Sequence, residues 1–241
     1  SSLAIGMEMF QVPFQEPLDR WSAGEIDETV LRRDTEYDER WGYDFSLYRP
    51  ILEFARSRNL RVVALNAPRE LAHAVAMCGV EGLDPELAAS LPELDLYDAE
   101  HRALFAQAFD AGVQGGADMV DRYSQAQGLW DETLGSRVAE TLQGPDGPAM
   151  MIVFAGRVRV QRGLGIPDRA AKRGATPYIV VLTVTPSELK AELKKPAAER
   201  AGEFFWAVDP CLLARLRLCV GQTRTRFSFA PARADPRKET R

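Results

Sequence analysis

The 241-residue chain has 46% hydrophobic and 27% charged residues and only three cysteines, which excludes disordered, collagen-like and disulfide-rich classes and fits one compact α/β domain. Its net charge of −5 is unevenly distributed along the chain. Residues 211–241 carry eight Lys or Arg and two Asp or Glu, whereas residues 1–210 carry 22 Lys or Arg and 33 Asp or Glu, a net charge of −11. An acidic body of this kind argues against nucleic acid as a partner.

Four short apolar runs predict buried parallel strands, because each run is continuous rather than alternating. They cover residues 3–9, 61–65, 150–155 and 178–184. The spacing of apolar residues between them predicts helices at residues 46–59, 68–78, 84–91, 98–110 and 117–143. This alternation predicts an α/β fold, with a mostly parallel β-sheet, helices on both faces and a helical insertion or cap at about residues 83–143.

The domain organisation follows from where the pattern stops. We expect residues 1–210 to form the α/β domain, with residues 203–208 adding an edge strand or a docking segment. Residues 211–241 are expected to form a basic tail whose end, residues 231–241, is disordered. Residues 81–100 hold seven acids and no base, which is typical of a solvated face.

Polar residues cluster where the predicted strands end. Glu8 lies near the end of the first strand, Asn66 follows the second, and Arg157 and Arg159 follow the third. Ligands of open parallel sheets bind beyond the carboxyl ends of the strands, so these side chains are expected to converge. Two interpretations remain open, a site for an anion and a structural ion pair between Glu8 and an arginine.

Few residues support catalysis or metal binding. His73 and His101 are the only histidines, and their separation rules out the spacing of a zinc helix. The cysteines lack zinc-site spacing, no GxSxG motif is present, and the GxG at residues 163–165 is too short for a dinucleotide fingerprint. No apolar run reaches the length of a membrane span. We therefore assign no catalytic residue and leave any metal ligand unknown.

Ordered sequence blocks carry a resemblance to a known family. They are residues 5–10 (IGMEMF), 48–55 (YRPILEFA), 63–69 (VALNAPR), 125–133 (QAQGLWDET), the glycine-rich 155–167 and 204–206 (FFW). In this order they resemble the ChaN-like haem-binding family of the Tiki superfamily. The resemblance spans roughly residues 3–208.

The resemblance implies that the protein handles haem, a related tetrapyrrole or iron, with haem as the cofactor. Glu8, Asn66, Gln127 and Asp131 match family motif positions and are carried over as cofactor-binding candidates. Arg159 stands where the family usually has histidine, and a guanidinium cannot ligate a metal. With Arg157, it is instead a candidate for binding a carboxylate or a haem propionate.

Tyr123 lies on the same predicted helix stripe as Gln127. It is a candidate axial ligand for haem iron, with core packing as the alternative. The family's opening strand, with its Gly-Glu-x-His signature, has no counterpart. The chain also lacks an initiating Met and enters a strand-like run within three residues, so we expect a fragment or a processed product. The resemblance implies a bacterial envelope or plastid location.

Two other functions stay open. The first is a degenerate scaffold or protein-interaction module that has lost its ligand, since the usual site histidines are absent. The second is a metal-dependent hydrolase of the wider superfamily. A homodimer or a protein partner that completes the pocket is a further option, and no nucleic-acid partner is expected.

Overall fold

A computed structural model describes residues 2–95, 100, 103 and 117–208. Most of the predicted helix at residues 98–110 and the whole predicted tail at residues 211–241 lie outside these described residues. The order of strands and helices in the described part is that of an α/β protein.

A parallel three-stranded sheet forms the centre, in the order β2-β1-β3. The strands are β1 (Leu3–Gln11), β2 (Arg61–Asn66) and β3 (Met150–Phe154). The bounds of the first three predicted strands are therefore confirmed within one or two residues at each end. The prediction of burial was wrong for β3, which is an edge strand of this sheet and exposes Met150 and Ile152. β1 is the central strand, so its carboxyl end is flanked by the ends of both neighbours.

Four short helices pack on one face of this sheet. They are α1 (Gln15–Ser22), α2 (Glu28–Asp34), α3 (Tyr37–Arg40) and α4 (Arg49–Ser57). Ile5 and Met7 of β1 point to this face and join a core with Leu18, Leu31 and Leu52 from the helices. The Asp27 side chain caps the start of α2 by accepting a hydrogen bond from the Val30 N–H.

The other face is covered by later helices. α5 (Arg69–Cys78) and α6 (Pro85–Ala89) precede the long helix α7 (Ala117–Gln143), and α8 (Ile166–Lys172) follows β3. Leu134 and Val138 of α7 pack with Ala4, Val63 and Leu65 of the sheet. The prediction of helices on both faces is confirmed. In the described part of the chain, no helix is long and apolar enough to cross a membrane.

The fourth predicted strand does not join the central sheet. β4 (Val181–Val184) pairs instead with β5 (Phe204–Ala207) in a separate two-stranded parallel sheet, with α9 (Pro186–Leu193) between them. The prediction of full burial was also wrong, because Leu182 and Val184 are buried whereas Val181 is exposed. The strand predicted within residues 203–208 is present as β5.

Candidate functional site

Glu8 lies near the carboxyl end of the central strand and is buried, with 6% of its surface exposed. One carboxylate oxygen accepts a hydrogen bond from the Gly156 N–H at 2.6 Å, and the other lies 3.3 Å from Nε of Arg159. Both partners come from the turn that follows β3. The carboxylate therefore ties the tip of β1 to the segment after the neighbouring strand.

Arg159 sits in the single turn of 3₁₀ helix at Arg157–Arg159 and is 9% exposed. Its Nη1 donates a hydrogen bond to Asp131 of α7 at 3.0 Å, and its guanidinium lies 5.2 Å from the centre of the Trp130 ring. Burial alone lowers the pKa of Arg159, but Asp131 and Glu8 outweigh burial and raise this pKa above its ordinary value. One permanent cation thus joins two carboxylates.

Gly165 closes the loop around Arg159. Its φ of +73° is a conformation that side chains disfavour, and a Cβ at this position would lie 2.4 Å from the Arg159 carbonyl oxygen and 3.3 Å from Oδ2 of Asp131. Glycine is therefore required here by both the backbone angle and the space. The glycine-rich loop serves to bring its backbone close to the ion-pair cluster.

Asn66 stands at the end of β2 beside the same strand tip. Its side-chain Nδ2 donates a hydrogen bond to the Glu8 carbonyl oxygen at 3.0 Å. Its Oδ1 is buried and has no hydrogen-bond partner among the residues that the structure describes. Buried acceptors in proteins usually receive a hydrogen bond, so a water molecule or a donor group of a ligand would complete the hydrogen bonding of this oxygen.

Tyr123, Gln127 and Asp131 follow one another at helical spacing along one face of α7. Tyr123 is half-buried, and burial raises the pKa of its phenol. The charge of Arg159 and a hydrogen bond with Gln127 act in the opposite direction on this pKa. The phenol therefore lies within electrostatic reach of the ion-pair cluster.

The structure brings together four of the six predicted site residues, Glu8, Asn66, Asp131 and Arg159. Gln127 is buried one helical turn before Asp131. Arg157 lies apart: its side chain is 39% exposed and contacts Glu188 at 3.3 Å. Residues two apart in a 3₁₀ turn point in different directions, so Arg157 and Arg159 do not share partners. A ligand role for all six residues stays a prediction.

The geometry contains the ion pair between Glu8 and an arginine that one of the two interpretations predicts. Glu8 and Asp131 both contact the guanidinium of Arg159, so an anionic ligand would have to compete with two of the protein's own carboxylates. Arg159 remains unable to ligate a metal. Among residues 2–95 and 117–208, no three His, Cys, Asp or Glu side chains are placed to hold a metal ion.

Sequence reasoning missed Trp130 and a second buried ion-pair cluster. Glu132, next to Asp131 on α7, lies 3.1 Å from Nε of Arg169 and 2.8 Å from Nη1 of Arg173. Glu132 and Arg169 are each 1% exposed. The sequence shows Glu132 next to the buried residues of α7 and shows Arg169 and Arg173 in the basic segment after the third strand. It does not show that they pair, because this depends on how α8 packs against α7.

Comparisons with known proteins agree with this architecture. Residues 1–170 match the family model described as haem-binding uptake, Tiki superfamily, ChaN. A solved structure described as cofacial heme binding to ChaN of Campylobacter jejuni is 12% identical, and the match covers 83% of this chain and 72% of that chain with a TM-score of 0.59. At this identity the likeness establishes the fold alone. No curated protein sequence matches the chain.

Proposed function

Because the chain belongs to the ChaN family of haem-binding uptake proteins in the Tiki superfamily, we propose that it binds haem or a related tetrapyrrole at the carboxyl edge of its three-stranded sheet. The observation that carries the proposal is the convergence at this edge of three residues that match family motifs: Glu8 and Asp131 contact Arg159, and Asn66 donates a hydrogen bond to the Glu8 carbonyl oxygen. Parallel sheets place ligands at this edge because side chains there escape the close-packed middle.

One side chain near this edge is of a type that binds haem. Tyr123 offers a phenol oxygen, and tyrosine is one of the side chains that hold haem iron in proteins. Burial raises the pKa of this phenol above its ordinary value, and the charge of Arg159 and the hydrogen bond with Gln127 only reduce that rise. Binding to iron would therefore have to supply the free energy for removing the phenol proton.

Arg159 has a structural part in this proposal. Its two carboxylate partners already occupy the guanidinium, and Trp130 lies against its face. Arg159 therefore links α7 to the strand tip, and its charge acts on Tyr123. Propionate groups of a haem would be recognised elsewhere or remain in solvent.

The proposal is tested by titrating the full chain with ferric haem and following the Soret absorbance. We expect a saturable shift at one haem per chain, with a difference spectrum distinct from that of haem added to an unrelated protein of similar charge. A linear response without saturation would contradict the proposal. Haem binding to the Campylobacter protein is described as cofacial, so the mass of the complex is measured alongside by analytical ultracentrifugation.

A second candidate function is a scaffold that has kept the fold without the ligand. The observation that favours it is that Glu8 and Asp131 already contact Arg159, so that two carboxylates of the protein balance this cation and disfavour an anionic ligand. The same titration separates the two functions, because the scaffold gives no saturable Soret change. The scaffold would also keep its unfolding temperature unchanged when haem is added, since a ligand stabilises only a protein that binds it.

A further inference from the structure

One edge of the central sheet meets a side chain instead of a strand. Among the residues that the structure describes, β2 pairs with a strand on one side only, where it meets β1. On its other side, the Val62 carbonyl and the Ala64 N–H are directed toward Gln15, the first residue of α1. Val62 and Ala64 are each 0% exposed, so bulk water does not reach these two backbone groups.

The Gln15 side chain satisfies both groups. Its Nε2 donates a hydrogen bond to the Val62 carbonyl oxygen at 2.8 Å, and its Oε1 accepts one from the Ala64 N–H at 2.8 Å. In a parallel ladder, one residue of the neighbouring strand makes this same pair of bonds, donating to one residue and accepting from the residue two positions later. The carboxamide therefore occupies the place of a strand residue opposite Val63.

Asp19, one turn later in α1, sets the orientation of this amide. Oδ1 of Asp19 accepts a second hydrogen bond from Nε2 of Gln15, at 2.9 Å. An ionised carboxylate can only accept hydrogen bonds, so the NH₂ end of the amide faces Asp19 and Val62 and its oxygen is left for Ala64. Arg61, the first residue of β2, lies 3.4 Å from the same Asp19 oxygen and links this carboxylate to the strand.

We propose that the Gln15 carboxamide acts as a substitute for a neighbouring strand and closes the β2 edge, so that the β2 edge of a second copy of this chain cannot pair there. Open strand edges are places where further chains add. A buried backbone group without a partner also costs free energy. One side chain removes both problems and attaches α1 to the edge. The proposal is independent of haem binding.

Amide hydrogen exchange, followed by NMR on the full chain, tests the two hydrogen bonds. Gln15→Met keeps the length of the side chain and removes both bonds, whereas Glu16→Met places the same side chain at the exposed next position. We expect Gln15→Met to speed exchange at Ala64 by about tenfold or more relative to Val63, whose N–H faces β1. Glu16→Met is expected to keep the wild-type ratio. A wild-type ratio in Gln15→Met would overturn the proposal.

Self-association tests the closure of the edge. At equal protein concentration, we expect Gln15→Met to form β-aggregates that bind thioflavin T several-fold faster than Glu16→Met does. Both variants add the same apolar side chain, but only Gln15→Met frees backbone groups for strand addition. Equal rates in the two variants, including no aggregation of either, would contradict the closure.

Gln15→Glu tests the donor half of the amide. The new carboxyl keeps the shape and one acceptor oxygen, but in its ionised form it brings a second oxygen against the Val62 carbonyl. Protonation restores a donor there, so folding is expected to raise the pKa of this carboxyl above its ordinary value of about 4.3. The folded state then binds the proton more tightly than the unfolded state. The stability lost relative to wild type is therefore largest at neutral pH and shrinks as the pH falls through the raised pKa.

Urea midpoints at a series of pH values measure this gap. The same comparison is made in an Asp19→Ala background, because repulsion from the Asp19 carboxylate would raise the same pKa. A gap that still shrinks toward acid pH in this background supports the donor role of Gln15 toward Val62. A gap that is constant with pH in this background would contradict that role.

Discussion

Arg159 and Asp131, 28 positions apart in the chain, form a buried hydrogen bond of 3.0 Å that joins the turn after β3 to the long helix α7. The Asp131 side chain has no exposed surface, and that of Arg159 has 10%. The Glu8 carboxylate contacts the same guanidinium at 3.3 Å. Arg159 therefore adds an ionic contact between α7 and the carboxyl edge of the sheet to the apolar packing of Leu134 and Val138.

Replacing this cation tests that ionic contact. Arg159→Met leaves Glu8 and Asp131 as buried carboxylates without their cation, and such a loss typically costs about 3–5 kcal/mol in the free energy of unfolding. Arg157→Met is the matched control, because it removes an exposed ion pair with Glu188 and is expected to cost less than about 1 kcal/mol. Urea unfolding of both variants measures the difference, and equal costs would contradict a supporting role for Arg159.

Gly135 is expected to be needed for the contact between α7 and α8. A Cβ at this position would lie 2.5 Å from the Arg169 Cβ and 3.0 Å from the Ala170 nitrogen. In a helix, alanine is favoured over glycine by about 1 kcal/mol, whereas overpacking costs typically about 1–3 kcal/mol. Because backbone atoms cannot yield easily, we expect Gly135→Ala to destabilise the protein by up to about 2 kcal/mol, the difference of these effects.

Thermal and urea unfolding check this prediction. Glu140→Ala, at an exposed position of the same helix, is the control for a change to alanine. A more stable Gly135→Ala protein would show that helix propensity prevails and that the two helices have room to separate.

The Glu28–Arg49 ion pair predicts a contribution to acid stability. The two side chains form paired hydrogen bonds of 2.6 and 2.7 Å, and the hydrogen bond from Arg49 is the main cause that lowers the pKa of Glu28 below its ordinary value of 4.5. A lowered pKa means that the folded state binds this proton less tightly than the unfolded state. The stabilisation is therefore present above pH 4.5 and is lost as the pH falls through the pKa of the folded state.

Glu28→Gln removes this pH-dependent part. We expect the variant to be less stable than the wild type at neutral pH and the gap between them to narrow as the pH falls below 4.5. Urea midpoints at a series of pH values measure the gap, with Glu140→Gln as the variant that removes an exposed carboxylate paired with Arg137. A gap that is constant with pH would contradict the assignment.

Much of the central fold was predictable from the sequence. The runs around Ile5 and Val63 are continuous and apolar, as buried parallel strands require, and both strands are buried. The similar run around Ile152 forms a parallel strand as predicted, but this strand lies at the edge of the sheet and Ile152 is exposed. The rule that ligand sites lie at carboxyl ends then placed Glu8 and Arg159 at one edge, and they are in contact.

The sequence did not predict which sheet the fourth strand joins. The run around Leu182 is as apolar as the central strands, yet Val181 stays exposed because β4 pairs with β5 away from the central sheet. Strand pairing is a long-range property, and local composition gives only the tendency to extend. Ile179 and Val181 on the exposed side are as apolar as Val180 and Leu182 on the buried side, so the sequence shows no apolar–polar alternation there that would indicate an exposed face.

The sequence allowed us to predict which residues belong to the site, but not which of them contact one another. Asp131 and Gln127 were assigned from the family resemblance, and only the structure shows that Asp131 contacts Arg159. Arg157 was grouped with Arg159 because both follow β3, but the tight turn sends their side chains to different neighbours. Trp130 was hidden because an aromatic residue on a helix stripe is most often core packing.

The most direct test of the proposed tetrapyrrole site compares two tyrosine variants in the ferric haem titration. Tyr123 lies on α7 within reach of Arg159, whereas Tyr43 packs beside Trp41, which belongs to the core on the other face of the sheet. We predict that Tyr123→Phe weakens haem binding by about tenfold or more, or at least about 1.4 kcal/mol, and changes the Soret spectrum, while Tyr43→Phe matches the wild type. Wild-type affinity and spectrum in Tyr123→Phe would contradict a haem site at this edge.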